Sequence, residues 1–261
     1  MNKHITGSFL GLLSIVGLAL SMSGCRKPVQ VSSSSGNIIV IDSTLDAIAD
    51  SEYIASLAPR KAEVEALMGE VIGECAVDLT VDEHACEFPM LNWASDALLE
   101  EAVKHYPGHV DCSVVNKGGM RCEWKKGPIT IGNVFELMPF DNQLVVLTLS
   151  GEDLLELGQV YINENGQGCG GMRIYAEDGQ LVDVTIATDL SGTDWVSVDP
   201  SKTYHVATSD YLSKGMDKLT PLTNYTEIWN EGLLIRDLYI ENVRAHKIIT
   251  AIVDGRSGLV Q

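Results

Sequence analysis

Asn116 and Arg121 bracket a pair of glycines, Gly118-Gly119, directly after the apolar residues Val114-Val115. Adjacent glycines let the chain turn sharply and approach a ligand closely, because no Cβ limits the backbone angles. An arginine beside such a turn offers a planar fork of donors suited to phosphate. Further on, Pro139-Phe140-Asp141-Asn142 sets an aromatic ring beside a side-chain amide, just ahead of the β-rich run from Leu144 to Leu149. An anion-binding turn and an aromatic platform are what a nucleotide pocket requires.

Several elements must position these residues. Val114-Val115 reads as the end of a buried strand. Trp93, Ala94, Ala97, Leu98 and Val103 give residues 87–106 a helical apolar face, and Leu154, Leu155 and Leu157 mark a helix over 151–160. From Ser43 to Met68 the apolar spacing is helical, with Pro59 inside it, so two helical pieces are expected. Val71 to Leu79 reads as a strand, and Ile38 to Ile41 as a short strand or an extended arm. Asp178-Gly179 is a hairpin turn joining Met172–Tyr175 to Leu181–Ile186. Ile228 to Ile252 reads as a helix whose Arg236, Arg244 and Lys247 form a solvated basic patch. The stretch GQGCGG at 166–171 contains a literal G-x-G-x-x-G. It follows a helix and precedes a strand, the reverse of a dinucleotide-binding turn, so its glycines are assigned to a loop entering a strand.

The chain has 261 residues, 45% hydrophobic, with a formal charge of −18. That content builds a packed core, and the acidic balance argues against DNA or RNA as a partner. Lys3 and His4 precede an apolar run from Phe9 to Leu20, closed by Ser21-Met22-Ser23-Gly24-Cys25. A basic start, a short apolar run and small residues are a secretory signal, and the run is too short for a secure membrane span. The ending resembles a bacterial lipobox, which implies cleavage after residue 24 and lipid on Cys25. Residues 25–36 then form a lipidated cysteine and a serine-rich tether, and 37–261 the folded domain. The expected location is the bacterial envelope, periplasmic or surface, with the membrane reached through the lipid anchor. Five further cysteines, Cys75, Cys86, Cys112, Cys122 and Cys169, are an odd number, so at least one is unpaired or the whole set is reduced.

Taken in order, N-x-G-G-x-R, G-P-I-T, P-F-x-N and L-S-G-x-x-L across 116–154 resemble the C-terminal, substrate-binding domain of the 5′-nucleotidase family. Glu87, Asn92, Asp96 and Ala97 fall in register with a helix of that family, although Leu91 stands where it has glycine. Lys104 is nearest to an arginine that some members carry late in this helix. Tyr204–Thr208 matches a family strand, and Gly215-Met216-Asp217 stands where the family has Gly-Gly-Asp. Tyr211 occupies a position that is usually Phe. The resemblance implies an α+β fold with mixed β-sheets and flanking helices, layered α/β/β/α. It implies that Phe140 and Tyr211 clamp a base, that Asp217 binds ribose, and that Asn116, Arg121, Asn142 and Gly215 complete the substrate site.

The family's enzymes carry a second domain, a metallophosphoesterase holding two metal ions, and none of its G-D, G-N-H-[DE] or G-H-x-H motifs occurs in these residues. Asp82-Glu83-His84 is an isolated D-x-H. His84, Cys86, His105, His109 and Cys112 match no standard zinc spacing. No catalytic residue, metal site or cofactor is therefore expected in this chain. The divalent metals are expected in a separate metallophosphoesterase chain, the expected partner, with a nucleoside monophosphate or related nucleotide as ligand. A stand-alone nucleotide- or nucleoside-binding lipoprotein and a scaffold with a decayed pocket are the alternatives.

Overall fold

The computed structural model describes residues 33–258 apart from 39, 42–49, 83 and 190–191. The secretory signal, Cys25 and most of the tether lie outside the described residues. Two units divide the chain, Met1–Ile54 and Ala55–Gln261. In the first, residues 33–38 and 40–41 are exposed chain without regular structure. Asp50 caps the helix that follows, its Oδ1 accepting the N–H groups of Glu52 and Tyr53 at 3.0 Å each. That helix, α1 (Ser51–Met68), buries no residue and runs through Pro59 as one piece. The proline removes one backbone bond, but the Ala, Leu, Arg, Lys and Glu residues around it are strong helix formers that carry the helix past the gap.

Then follow β1 (Val71–Cys75), α2 (Pro89–His105), β2 (Cys112–Val115), β3 (Gly127–Thr130), α3 (Ile131–Leu137), β4 (Leu144–Ser150) and α4 (Gly151–Asn163). After these come β5 (Gly168–Gly170), β6 (Met172–Glu177), β7 (Gln180–Ala187), β8 (Trp195–Ser197), β9 (Thr203–Ser209), β10 (Glu227–Trp229), α5 (Ile235–His246) and β11 (Ile248–Ile249). Two helix starts are legible locally. Thr130 and Ser150 each form a capping box, with Asn133 and Asp153 respectively returning a side-chain bond.

The central sheet has five strands in the order β10-β4-β9-β2-β5. β9 runs antiparallel to β4, from Leu144 opposite Ser209 to Ser150 opposite Thr203, and parallel to β2. Both faces of this sheet are covered. Val115, Leu144, Val146 and Ala207 point into a core shared with α2, α3, α5 and the small sheet β11-β1-β3. Val114, Val145, Leu147, Leu149 and Val206 point into a second core shared with α4 and the antiparallel meander β6-β7-β8. Burial on both sides explains why these strands read as unbroken apolar runs. The chain is thus α+β with mixed and antiparallel sheets between helices.

Three local expectations are corrected. Gly168–Gly170 is itself the edge strand β5 rather than loop. Residues 228–252 form β10, a loop, α5 and β11, because the helix stops at Lys247, whose φ of 63° is left-handed. Arg236 is not solvated surface: it is 8% exposed, stacked 4.3 Å over the Phe135 ring and bonded to Asp141. The hairpin at 178–179 stands as read, with φ of 49° at Asp178 and 76° at Gly179, both positive as a tight I′ turn demands.

Candidate functional site

The strands β2 and β9 are parallel neighbours, so their C-terminal ends emerge side by side. After β2 the chain makes a single 3₁₀ turn, Lys117–Gly119, and after β9 it makes a series of such turns from Leu212. These two loops carry Asn116 and Arg121 on one side and Tyr211, Gly215 and Asp217 on the other. They meet through Asp217. Its Oδ2 accepts a short hydrogen bond from Asn116 Nδ2, and its Oδ1 accepts one from the Tyr211 hydroxyl at 3.2 Å. The carboxylate lies over the glycine turn: a Cβ at Gly118 would stand 3.6 Å from Asp217 Oδ2. Asn116 thus bonds to a carboxylate 101 positions away in sequence.

Asp217 holds this place through an unusual backbone. Gly215, Asp217 and Lys218 all have positive φ, at 75°, 53° and 64°. Glycine takes that region freely and Asp tolerates it, but for Lys218 it is strained. Lys218 Nζ is anchored 2.7 Å from Glu164 Oε2, at the end of α4. Gly215 also lacks room for a side chain, since a Cβ would lie 2.9 Å from Thr223 Cγ2. Met216 is exposed. The charge on Asp217, then burial and the shared hydrogen bond, raise the Tyr211 phenol above its ordinary pKa.

The aromatic platform is fixed from the other side. Arg236, at the start of α5, donates from Nη1 to the Phe140 carbonyl at 3.3 Å and from Nη2 to Asp141 Oδ1 at 2.8 Å. The Asn142 carbonyl accepts from the Ile235 N–H at 2.9 Å. Asn142 itself is half-buried. Phe140 is 42% exposed and Tyr211 38% exposed, and among the described residues the two rings make no contact with each other. Neither ring is a core residue.

Asp210, which the sequence reading passed over, ties the two aromatic loops together. Its Oδ1 accepts the Gln143 N–H at 3.0 Å, its own N–H donates to the Gln143 carbonyl at 2.9 Å, and Lys214 Nζ lies 2.9 Å from Oδ2. Burial opposes its ionisation, but the Gln143 N–H, Lys214 and the Tyr211 N–H together hold its carboxyl below the usual range. The only sequence signal was its place, directly before Tyr211 at the end of a strand. Gln167 was missed as well. Its Oε1 accepts the Lys117 N–H at 2.8 Å and so fixes the start of the glycine turn.

Arg121 is exposed and donates from Nη1 to the Gly118 carbonyl at 3.0 Å, which holds its fork beside the turn. The Gly119 N–H is engaged by the Asn116 carbonyl at 3.1 Å. Lys104 is not among the site residues. Its Nζ is 2.9 Å from Glu100 and 2.8 Å from Glu101; burial works against its charge, yet those two partners raise its pKa. Asp82 serves as a turn residue, its Oδ1 accepting the His84 N–H at 2.9 Å. All five described cysteines are free thiols. Burial pushes Cys75 up to about 11 and Cys169 up to about 12, so these thiols stay protonated.

A cavity of about 740 Å³ lies elsewhere, between α2, the β5–β6 corner and the β7–β8 hairpin. Asp96, Glu100, Asp111, Asp189 and Asp254 outnumber Arg173 and Arg256 along its walls, so it is a poor receptor for phosphate. The seven predicted site residues lie outside it.

A mixed sheet that carries a glycine turn, two exposed rings and a shared carboxylate at its strand ends has the layout of a ligand-binding domain. Residues 71–224 match the family described as 5′-nucleotidase, C-terminal domain, and the chain belongs to that family. Among curated relatives, a probable 5′-nucleotidase of Treponema pallidum is 27% identical over 178 residues, covering 62% of this chain and 30% of the relative. Protein UshA of Escherichia coli is 27% identical over 188 residues, covering 70% of this chain and 32% of the relative. Among solved structures, the 5′-nucleotidase precursor of Thermus thermophilus superimposes with a TM-score of 0.67 at 25% identity, covering 81% of this chain and 44% of that one. The chain thus spans about a third of the length of these curated relatives.

Proposed function

We propose that this chain is the nucleotide-binding half of a split 5′-nucleotidase, holding the base and ribose of a nucleoside monophosphate while a separate metallophosphoesterase chain hydrolyses the phosphate ester. The single observation that carries the reading is the meeting of Asn116, Tyr211 and Asp217, which joins both halves of the family signature at one exposed rim. In this reading Phe140 and Tyr211 stack on the base, which contributes about 1–3 kcal/mol. Asn142 and Gly215 shape the base pocket. Asp217 exchanges its Asn116 and Tyr211 bonds for ribose hydroxyls, and Arg121 with the Gly118 N–H takes the phosphate.

The chain's own part is to bind and orient; two divalent metals held by the partner supply the displacement at phosphorus. Export with a lipid on Cys25 belongs to the same reading and places both chains at the bacterial envelope. No helix among the described residues is long and apolar enough to cross a membrane.

Calorimetry with AMP and adenosine tests the assignments. The net charge of −18 gives no long-range attraction for a dianion, so short-range donors must hold the phosphate. Arg121→Ala is expected to weaken AMP by about ten- to a hundredfold, the loss of one charge-assisted bond, and to leave adenosine nearly unchanged. Asp217→Ala is expected to weaken both alike. Equal losses of AMP and adenosine on Arg121→Ala would show a structural role for Arg121. Failure of either compound to bind the wild-type chain, alone or with a co-purifying metallophosphoesterase, would sink the proposal.

A further inference from the structure

On the far side of the α2–α5 contact, Glu101, His105 and Glu241 converge, with one ligand atom of each lying within 4.8 Å of the others. Glu101 and His105 stand one turn apart on α2, and Glu241 faces them from α5. Glu101 is 1% exposed, a burial that a carboxylate tolerates only when paired or bound to an ion. Its Oε1 is satisfied by Lys104 Nζ at 2.8 Å and Asn242 Nδ2 at 3.2 Å. Its Oε2 accepts no hydrogen bond among the described residues and faces the imidazole instead. His105 Nε2 is 3.9 Å from that oxygen and 3.8 Å from Glu241 Oε2, too far to bond either. The ring is thus centred between two carboxylates with a gap on each side.

We propose that Glu101, His105 and Glu241 bind a divalent transition-metal ion of the zinc class. Zinc takes imidazole nitrogen and carboxylate oxygen at about 2.0–2.2 Å, which sets two tetrahedral ligand atoms about 3.3 Å apart. Small rotations of His105 and Glu241, both on the exposed side of the cluster, close the present gaps. Glu101 stays fixed by Lys104 and Asn242. Two carboxylates and a neutral imidazole balance the charge of a divalent ion, and Lys104 is matched by Glu100 at 2.9 Å. The imidazole favours zinc, cobalt or nickel over magnesium or calcium, which prefer all-oxygen sites. Three protein ligands leave a position for water. The bound ion would clip α2 to α5 and so stabilise the second unit. This site is independent of the nucleotide reading and contains none of its residues.

The test uses the full chain, stripped by chelator, with zinc alone as probe. Titration at pH 7.5 is expected to give one ion per chain and to raise Tm by several degrees at a hundredfold excess over Kd. Cobalt in its place should show d–d bands without thiolate charge transfer, which separates this site from the half-buried Cys86 and Cys122. His105→Gln and Glu241→Gln, both at exposed positions, should fold with unchanged metal-free Tm and bind at least tenfold more weakly. Absence of binding, binding unchanged in both variants, a thiolate band, or an equal Tm rise with calcium would each overturn the proposal.

Discussion

Two glycine-rich stretches stand side by side, joined by the bond from the Lys117 N–H to Gln167, and they are glycine-rich for opposite reasons. In GQGCGG the glycines make room for the protein. A Cβ at Gly166 would lie 2.2 Å from the Cys86 carbonyl oxygen, and one at Gly170 2.8 Å from the Ser95 carbonyl. A Cβ at Gly168 would lie 2.4 Å from Val115 Cγ2 and 2.8 Å from Leu91. Leu91 on α2 thus fills the space over Gly168. In NKGGMR only Gly118 leaves room beside the protein, since Gly119 is buried. Gly118 is exposed and would meet nothing nearer than 3.6 Å, and Gly119 would meet only the Asn116 side chain at 2.8 Å. A glycine required by packing and a glycine on an open surface look alike as letters.

Substitution can break or sharpen that contrast. The largest effect is expected at Gly166→Ala, where a φ of 81° and a collision with backbone coincide. Strain and overpacking together should cost about 3 kcal/mol or more in chemical denaturation. A loss below about 1 kcal/mol would mean that the 84–86 and 164–167 loops give way, and that the stretch is as open as its neighbour. A middle effect is expected for Asp210→Ala, which unties the aromatic loops without touching the glycine turn. Its side chain is 30% exposed, so allowing for solvent screening the loss is about 1 kcal/mol at pH 7. The sign in pH follows from the depressed carboxyl. The contribution is full above the unfolded pKa of about 3.9 and disappears as pH falls through the lower folded value. Denaturation of wild type and variant at pH 7 and in acid should therefore converge at low pH; parallel curves would refute the assignment. The smallest effect on stability is expected at Gly118→Ala, within about 0.5 kcal/mol as for an open surface position. The same methyl, 3.6 Å from Asp217 Oδ2, should nonetheless weaken AMP severalfold in calorimetry. A destabilised Gly118→Ala protein would erase the distinction between the two stretches.

Much was legible without coordinates because local chemistry repeats. Apolar runs marked β2, β4, β6 and β7, the family resemblance marked β9, and the Asp178-Gly179 turn announced its hairpin. The four ordered motifs over 116–154 carried the family. Errors fell where a local rule competes with a neighbour. Pro59 does not break α1, residues 228–252 are not one helix, and Arg236 is drawn inside by Phe135 and Asp141.

What the sequence by itself determined is the inventory. An exposed arginine beside paired glycines, an aromatic before an amide, and an aspartate after Gly-Met are fixed by composition and short spacing. The α+β class is what the family resemblance implied, and the strand candidates lying between helical segments agreed with it. What only the tertiary structure decided is which groups meet. β2 and β9 are parallel neighbours, and that pairing alone brings Asn116 to Asp217. Glu101 and Glu241 face one imidazole because α2 packs on α5. Hydrogen bonds and ligand sets act over a few ångströms, while spacing along a chain constrains distance only across a turn or two. Once a contact spans a hundred residues, the register of strands and the packing of helices decide it.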